Sequence, residues 1–196
     1  MALSACGGPA TIGPSPVAPP AGTVATAVPG AAPRSGITSI VVPGVAPELV
    51  TALLFGAPPN DNPHALEAWE NAALRHCVGP GLDVDQVAAI VASGAAVSGI
   101  PAAVVSSDTC DVRWVREAGP GCGLHPCTAK TVEGGRITAA TIYVPEAGRL
   151  TEAGLHELGH ALGLGHSPRR GDLMAVTPTA LDFSADERAV IAAVYR

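Results

Sequence analysis

Eleven consecutive residues, His156-Glu157-Leu158-Gly159-His160-Ala161-Leu162-Gly163-Leu164-Gly165-His166, constrain this chain more than any other feature. On a helix, His156 and His160 lie one turn apart and project from one face, so their imidazoles can hold a single metal ion from two corners. Gly163 permits a positive φ, which ends the helix and lets His166 arrive from another direction. Glu157, beside the first ligand, is placed to reach a water on the metal rather than the metal itself. Three nitrogen ligands leave the fourth corner of a tetrahedral zinc open, the mark of a catalytic rather than a structural site. A metal-free histidine trio on a helix otherwise built of Ala, Leu and Gly would leave several imidazole nitrogens in need of partners.

The surrounding pattern alternates strands and helices. Asp83, with Gln86 three residues on, is a capping-box variant, and Val84, Val87, Ala88, Val91 and Ala95 then line one face of a helix over 84–97. The β-branched stretches 103–106, 110–116 and 137–144 read as strands. Residues 71–78 read as a strand closed by Gly79-Pro80-Gly81, with a helix over 65–74 as the competing reading. Thr151 can cap the motif helix, which runs to about Leu162. Ser184-Ala185-Asp186-Glu187 is a capping box opening a last helix that carries Val190, Ile191 and Val194 on one side. The class is α/β with a small mixed sheet.

At 196 residues, 47% hydrophobic and 3% aromatic, the chain can build one modest core and one domain. Of its 19 prolines, most fall before residue 60. Residues 7–36 are mainly Pro, Gly, Ala, Ser and Thr with Arg34 as the only charge, too little apolar surface to offset backbone ordering. The expected organisation is therefore a short head at 1–6, a largely disordered Pro/Gly/Ala-rich linker at 7–59 and a folded catalytic domain at 60–196. No stretch reads as a membrane span: 87–107 is broken by Gly94, Gly99, Pro101 and four serines, and 37–57 by Pro43, Pro47 and Glu48. A net charge of -6, with Lys130 the only lysine, argues against nucleic acid as a partner.

The head, Leu3-Ser4-Ala5-Cys6-Gly7, resembles the lipobox of bacterial lipoproteins. A basic and apolar leader should precede such a box, yet only Met1 and Ala2 do, so either the start is truncated, with a lipid anchor on Cys6 and a location at the bacterial cell surface or secreted, or the four residues match by chance in an Ala-rich sequence; the truncated start is favoured. Apart from Cys6, the cysteines Cys77, Cys110, Cys122 and Cys127 allow three pairings, of which Cys77 with Cys110 and Cys122 with Cys127 is favoured. A zinc knuckle of Cys122, His125 and Cys127 competes, though its spacing is not CxxC. Trp69 and Trp114 read as core anchors, with a place along a substrate groove as the alternative. Arg169-Arg170 reads as a solvated turn, with an anion site as the alternative.

With these residues in view, the sequence resembles the metzincin clan of zinc endopeptidases, whose HExxHxxGxxH motif is followed by a turn carrying methionine beneath the metal. Met174, in Gly171-Asp172-Leu173-Met174, suits that Met-turn. Ser167 after the third histidine, the Leu-Met turn and the closing Phe183-Ser184-Ala185-Asp186-Glu187 helix reaching Tyr195 resemble the matrixins in particular. The resemblance implies a metzincin-like zincin fold: a small twisted mixed sheet, two long helices, a zinc cleft, the Met-turn and a C-terminal helix. It implies one catalytic zinc on His156, His160 and His166, Glu157 as general base, and a polypeptide substrate lying along an edge strand between residues 123 and 132. The pocket beyond the scissile bond would be walled by 155–158 and 175–178 and suit an apolar side chain. It also implies that Asp186 bonds to the Met-turn backbone, although a helix N-terminal charge explains that residue equally well.

Departures from the family pattern matter too. No PRCGxPD-like segment occurs, so cysteine-switch latency is not implied. His64, His76 and His125 are too scattered for a second, structural zinc, and calcium has little support beyond Asp108 and Asp111. Val176 stands where some metzincins carry a metal-binding tyrosine. A monomer is expected. The rival reading is a catalytically silent zinc-binding surface lipoprotein or adhesion module, and a third is hydrolysis of a non-peptide amide.

Overall fold

A computed structural model describes residues 25–26, 40–56, 66–146 and 148–196. The lipobox-like head and most of the spacer lie outside the described residues. Short strands β1 (Ala25–Thr26) and β2 (Ile40–Val41) pair in parallel. Helix α1 (Pro47–Phe55) follows, and then β3 (Leu74–Val78), α2 (Val84–Ser98), β4 (Ala102–Val104), β5 (Val112–Val115), β6 (Cys127–Glu133), β7 (Arg136–Tyr143), α3 (Leu150–Ala161) and α4 (Ala185–Tyr195).

The main sheet has the order β4-β3-β5-β7-β6, parallel except for β6, which runs antiparallel to β7 at one edge. The mixed α/β class expected from the alternation is the one observed. Residues 74–78 are a strand, as favoured. The motif helix starts one residue before the expected Thr151 cap: Arg149 takes the cap position without a side-chain bond, because Leu150 is buried and is drawn into the helix. The Asp83 cap accepts from the amides of Asp85 and Gln86 at 3.0 and 3.1 Å. The Ser184 capping box forms in both directions.

Two cores result. One lies between the sheet and helices α2 and α3, built from Val87, Val91, Val112, Trp114, Ile142 and Leu158 among others. Trp69 and Trp114 are fully buried and hydrogen-bonded, Trp69 Nε1 to the Ala161 carbonyl at 2.8 Å and Trp114 Nε1 to His76 Nδ1 at 3.2 Å. They anchor the core and do not line a groove.

The second core corrects the expected linker. Residues 40–56 are not spacer: Leu49, Leu53 and Leu54 of α1 are buried against Leu164, Leu173, Met174, Phe183 and Ile191. The apolar run that Pro43, Pro47 and Glu48 disqualify as a membrane span is a core helix, with Pro47 tolerated in its first turn, where no intrahelical partner for its missing N–H is needed. Among the described residues no helix is long and apolar enough to cross a membrane.

Both favoured disulfides are present, Cys77–Cys110 and Cys122–Cys127, with Cα separations of 5.7 and 6.3 Å. They close loops of sequence separation 33 and 5, which by loop entropy alone stabilise by about 4 and about 2 kcal/mol. The zinc knuckle is thereby excluded, since Cys122 and Cys127 bond to each other.

Candidate metal centre

Helix α3 supplies His156 and His160, and the chain then turns sharply. The amide of Gly163 donates to the His160 carbonyl at 2.9 Å and that of Leu164 to the Gly159 carbonyl at 3.0 Å, the double closure of a Schellman motif. Gly163 has φ +93°, a conformation costly for any residue with a Cβ. A Cβ there would also sit 2.1 Å from the Glu67 carbonyl oxygen. The next amide, of Gly165, donates to the Leu53 carbonyl of α1 at 2.7 Å. His166 is thus aimed back at the helix by two hooks, one internal to the turn and one from the N-terminal helix.

Replacing Gly163 by alanine should therefore displace His166. The expected cost is at least about 2 to 4 kcal/mol from backbone strain and overpacking. Chelator competition should show metal affinity falling 10-fold or more alongside a lower melting temperature.

The three rings meet as expected. Their centroids are 4.7 to 5.6 Å apart, and one nitrogen from each lies within 4.8 Å of the others. His156 Nδ1 lies 2.7 Å from the Leu173 carbonyl and His160 Nδ1 2.8 Å from the Leu164 carbonyl. A carbonyl only accepts, so each Nδ1 carries the proton in the neutral ring and each Nε2 presents a lone pair. Those two Nε2 atoms face each other across 3.0 Å. Two lone pairs so close repel, and a shared cation between them is what the donor set fits.

Burial keeps these two rings neutral. His156 is driven down to about 4, chiefly by burial, and His160 falls well below the ordinary histidine range for the same reason. The charged rings are disfavoured and the lone pairs stay available.

Glu157, the next residue along α3, is buried, and burial raises its carboxyl to about 7. A hydrogen bond from Thr128 on β6 works against that rise. Glu157 is not among the three groups that meet around the candidate ion.

Beneath the helix lies Met174, fully buried. It fits only because residue 159 is glycine: a Cβ there would fall 2.3 Å from the Met174 sulfur. The Met-turn is tied back to the chain after the third histidine. Ser167 N donates to the Met174 carbonyl at 2.8 Å, and Ser167 Oγ to Asp172 Oδ2 at 2.6 Å.

The expected bond from Asp186 to this turn is not made. Asp186 pairs instead with Arg169 at 2.5 Å, so Arg169 is half of an ion pair rather than merely a solvated turn residue. The turn is held by Glu187, which accepts from Met174 N at 2.7 Å, Leu173 N at 3.3 Å and Ser184 N at 2.7 Å. The signal was already in the capping box: its glutamate must point back over the helix N-terminus, which is where the Met-turn passes.

With this arrangement of sheet, turn and triad, residues 65–196 match the peptidase family M10, described as Matrixin. The chain belongs to the matrixin family. No curated protein shows significant similarity to it. Membership makes this matrixin a metallopeptidase by family, a class of hydrolase that acts on polypeptides, and its three histidines can hold a metal ion. The antiparallel edge of the sheet is β6, Cys127–Glu133. Its hairpin turn, Gly134-Gly135, was the readable signal that the strand pattern alone lacked.

Proposed function

We propose that this matrixin is a zinc-dependent endopeptidase in which His156, His160 and His166 hold one catalytic zinc and Glu157 is the general base. The observation that carries the reading is the pair of Nε2 lone pairs converging across 3.0 Å, next to a buried carboxylate that takes no part in the triad. A zinc ion held there supplies a Lewis acid, which acidifies water and polarises the substrate carbonyl.

The protein's own groups do the rest. The Leu173 and Leu164 carbonyls fix the tautomers of His156 and His160. Glu157 accepts a proton from the attacking water and delivers it to the departing amine. Burial raises this carboxyl towards 7 in the metal-free protein, and a cation beside it would favour the carboxylate form that accepts the proton. The free side of β6 offers main-chain donors and acceptors to an extended peptide, which gives affinity tolerant of sequence.

The two disulfides support an oxidising compartment, so the proposal includes export, with Cys6 as a lipid attachment point.

Metal analysis combined with casein or gelatin digestion tests the reading. Purified protein should carry one zinc per chain, lose hydrolysis on chelation and regain it when zinc is restored. Absence of chelator-sensitive hydrolysis of any unfolded protein would sink it and favour a non-catalytic zinc-holding surface module.

A further inference from the structure

Resting on the reading that Glu157 is the general base, we propose that Thr128 is the positioning residue that selects which carboxylate oxygen does the work. Thr128 is the second residue of the edge strand β6 and is half-buried against α3. Its Oγ1 lies 2.8 Å from Glu157 Oε2 and 2.8 Å from the Glu157 backbone carbonyl. A hydroxyl has one proton to donate. Toward an ionised carboxylate that proton goes to Oε2, because a charged acceptor makes the stronger bond.

With one lone pair of Oε2 held by the hydroxyl, Oε2 is the weaker base and Oε1 is the oxygen that reacts. One O–H bond of the attacking water breaks, its proton binds Oε1, and the water oxygen adds to the carbonyl carbon. As the C–N bond breaks, the same proton moves from Oε1 to the amine nitrogen. While the carboxylate is ionised the threonine hydroxyl stays on Oε2, so Oε1 faces the water when the first proton is taken.

Two further features favour this role. Lys130, two residues along and on the same face of β6, forms an ion pair with Glu67 at 2.6 Å, so its ammonium is engaged by another carboxylate. Thr128 pairs with Ile142 of β7 in regular register, with the strand irregularity farther on at Thr131 and Val132. The hydroxyl is therefore presented from regularly paired backbone.

The test compares Thr128→Val, Thr128→Ser and Glu157→Gln with the wild type, with kcat expressed per metal-loaded chain so that any loss of folded protein drops out. Valine keeps the shape and removes the donor. We expect Thr128→Val to lower kcat about 10- to 100-fold with KM within about 2-fold, and Thr128→Ser to recover most of that loss. A strut that merely ties β6 to α3 would lower stability or metal content and leave kcat per loaded chain alone. Wild-type kcat in Thr128→Val, or a serine variant as slow as the valine one, overturns the proposal. The two readings fail separately: an inactive Glu157→Gln beside a fully active Thr128→Val sinks only the role of Thr128, whereas a fully active Glu157→Gln sinks the general base itself.

Discussion

Glu157→Gln should lower kcat on an unfolded-protein substrate by about 10²- to 10⁴-fold while the zinc content stays at that of the wild type. Glutamine occupies the same space and still offers an oxygen to the Thr128 hydroxyl, but it cannot accept a proton from water. The ligand triad is untouched, since Glu157 is not one of its members.

A second readout separates chemistry from folding. Burial raises the Glu157 carboxyl from 4.5 to about 7, so the folded metal-free protein holds this proton more tightly than the unfolded chain. The stability this contributes is present below pH 4.5 and is lost as pH rises through about 7. Above pH 7 the metal-free wild type carries a buried anion that the glutamine variant lacks. Metal-free Glu157→Gln should therefore melt at the same or a higher temperature than metal-free wild type at pH 8, and the gap should narrow towards pH 5. Bound zinc reverses part of this, because a nearby cation favours the carboxylate. An inactive variant that is also less stable at pH 8 would point to a structural role instead.

The second large effect concerns Glu187, which is fully buried. Its two oxygens accept from three backbone amides, those of Leu173, Met174 and Ser184. Glu187→Ala leaves these donors without their partner inside the protein, at about 1 to 3 kcal/mol each. Partial repair by water brings the expected loss to about 3 to 5 kcal/mol, which for a domain of this size lowers the melting temperature by about 10 °C. The damage should reach the metal as well. The Leu173 carbonyl accepts the His156 Nδ1 proton, so freeing the Leu173 amide loosens the group that orients the first ligand. Chelator competition should show weaker zinc binding in Glu187→Ala, and Glu187→Gln should fall between the two, because it keeps one acceptor oxygen. Unchanged melting and unchanged affinity in the alanine variant would show that the clamp is dispensable.

The legible part of this molecule is the part whose residues are neighbours in sequence. The histidine spacing, the glycine turn, the Asp83 cap and the Ser184 capping box each rest on local geometry, and each appears where it was expected. The illegible part depends on contacts between distant segments. Thr128 gives no sign in the sequence that it meets Glu157, because the contact exists only once β6 lies beside α3. The choice of Glu187 over Asp186 turns on which of two adjacent acids faces inward. Both sit in the first helical turn, and only the passing Met-turn distinguishes them. Residues 40–56 follow the same rule: their scattered prolines and glycines read as a spacer, whereas the leucines of α1 share a core with residues more than 100 positions downstream.

That last feature also means that the unit recognisable by ancestry and the unit that folds are different. The family match opens at residue 65, yet the floor under Met174 is completed by Leu49 and Leu53. A fragment trimmed to the homologous boundary would show solvent a greasy underside and lose the Leu53 carbonyl that steadies the loop of the third ligand. In this protein an N-terminal extension has become masonry, and any version intended for chemistry should begin ahead of residue 40.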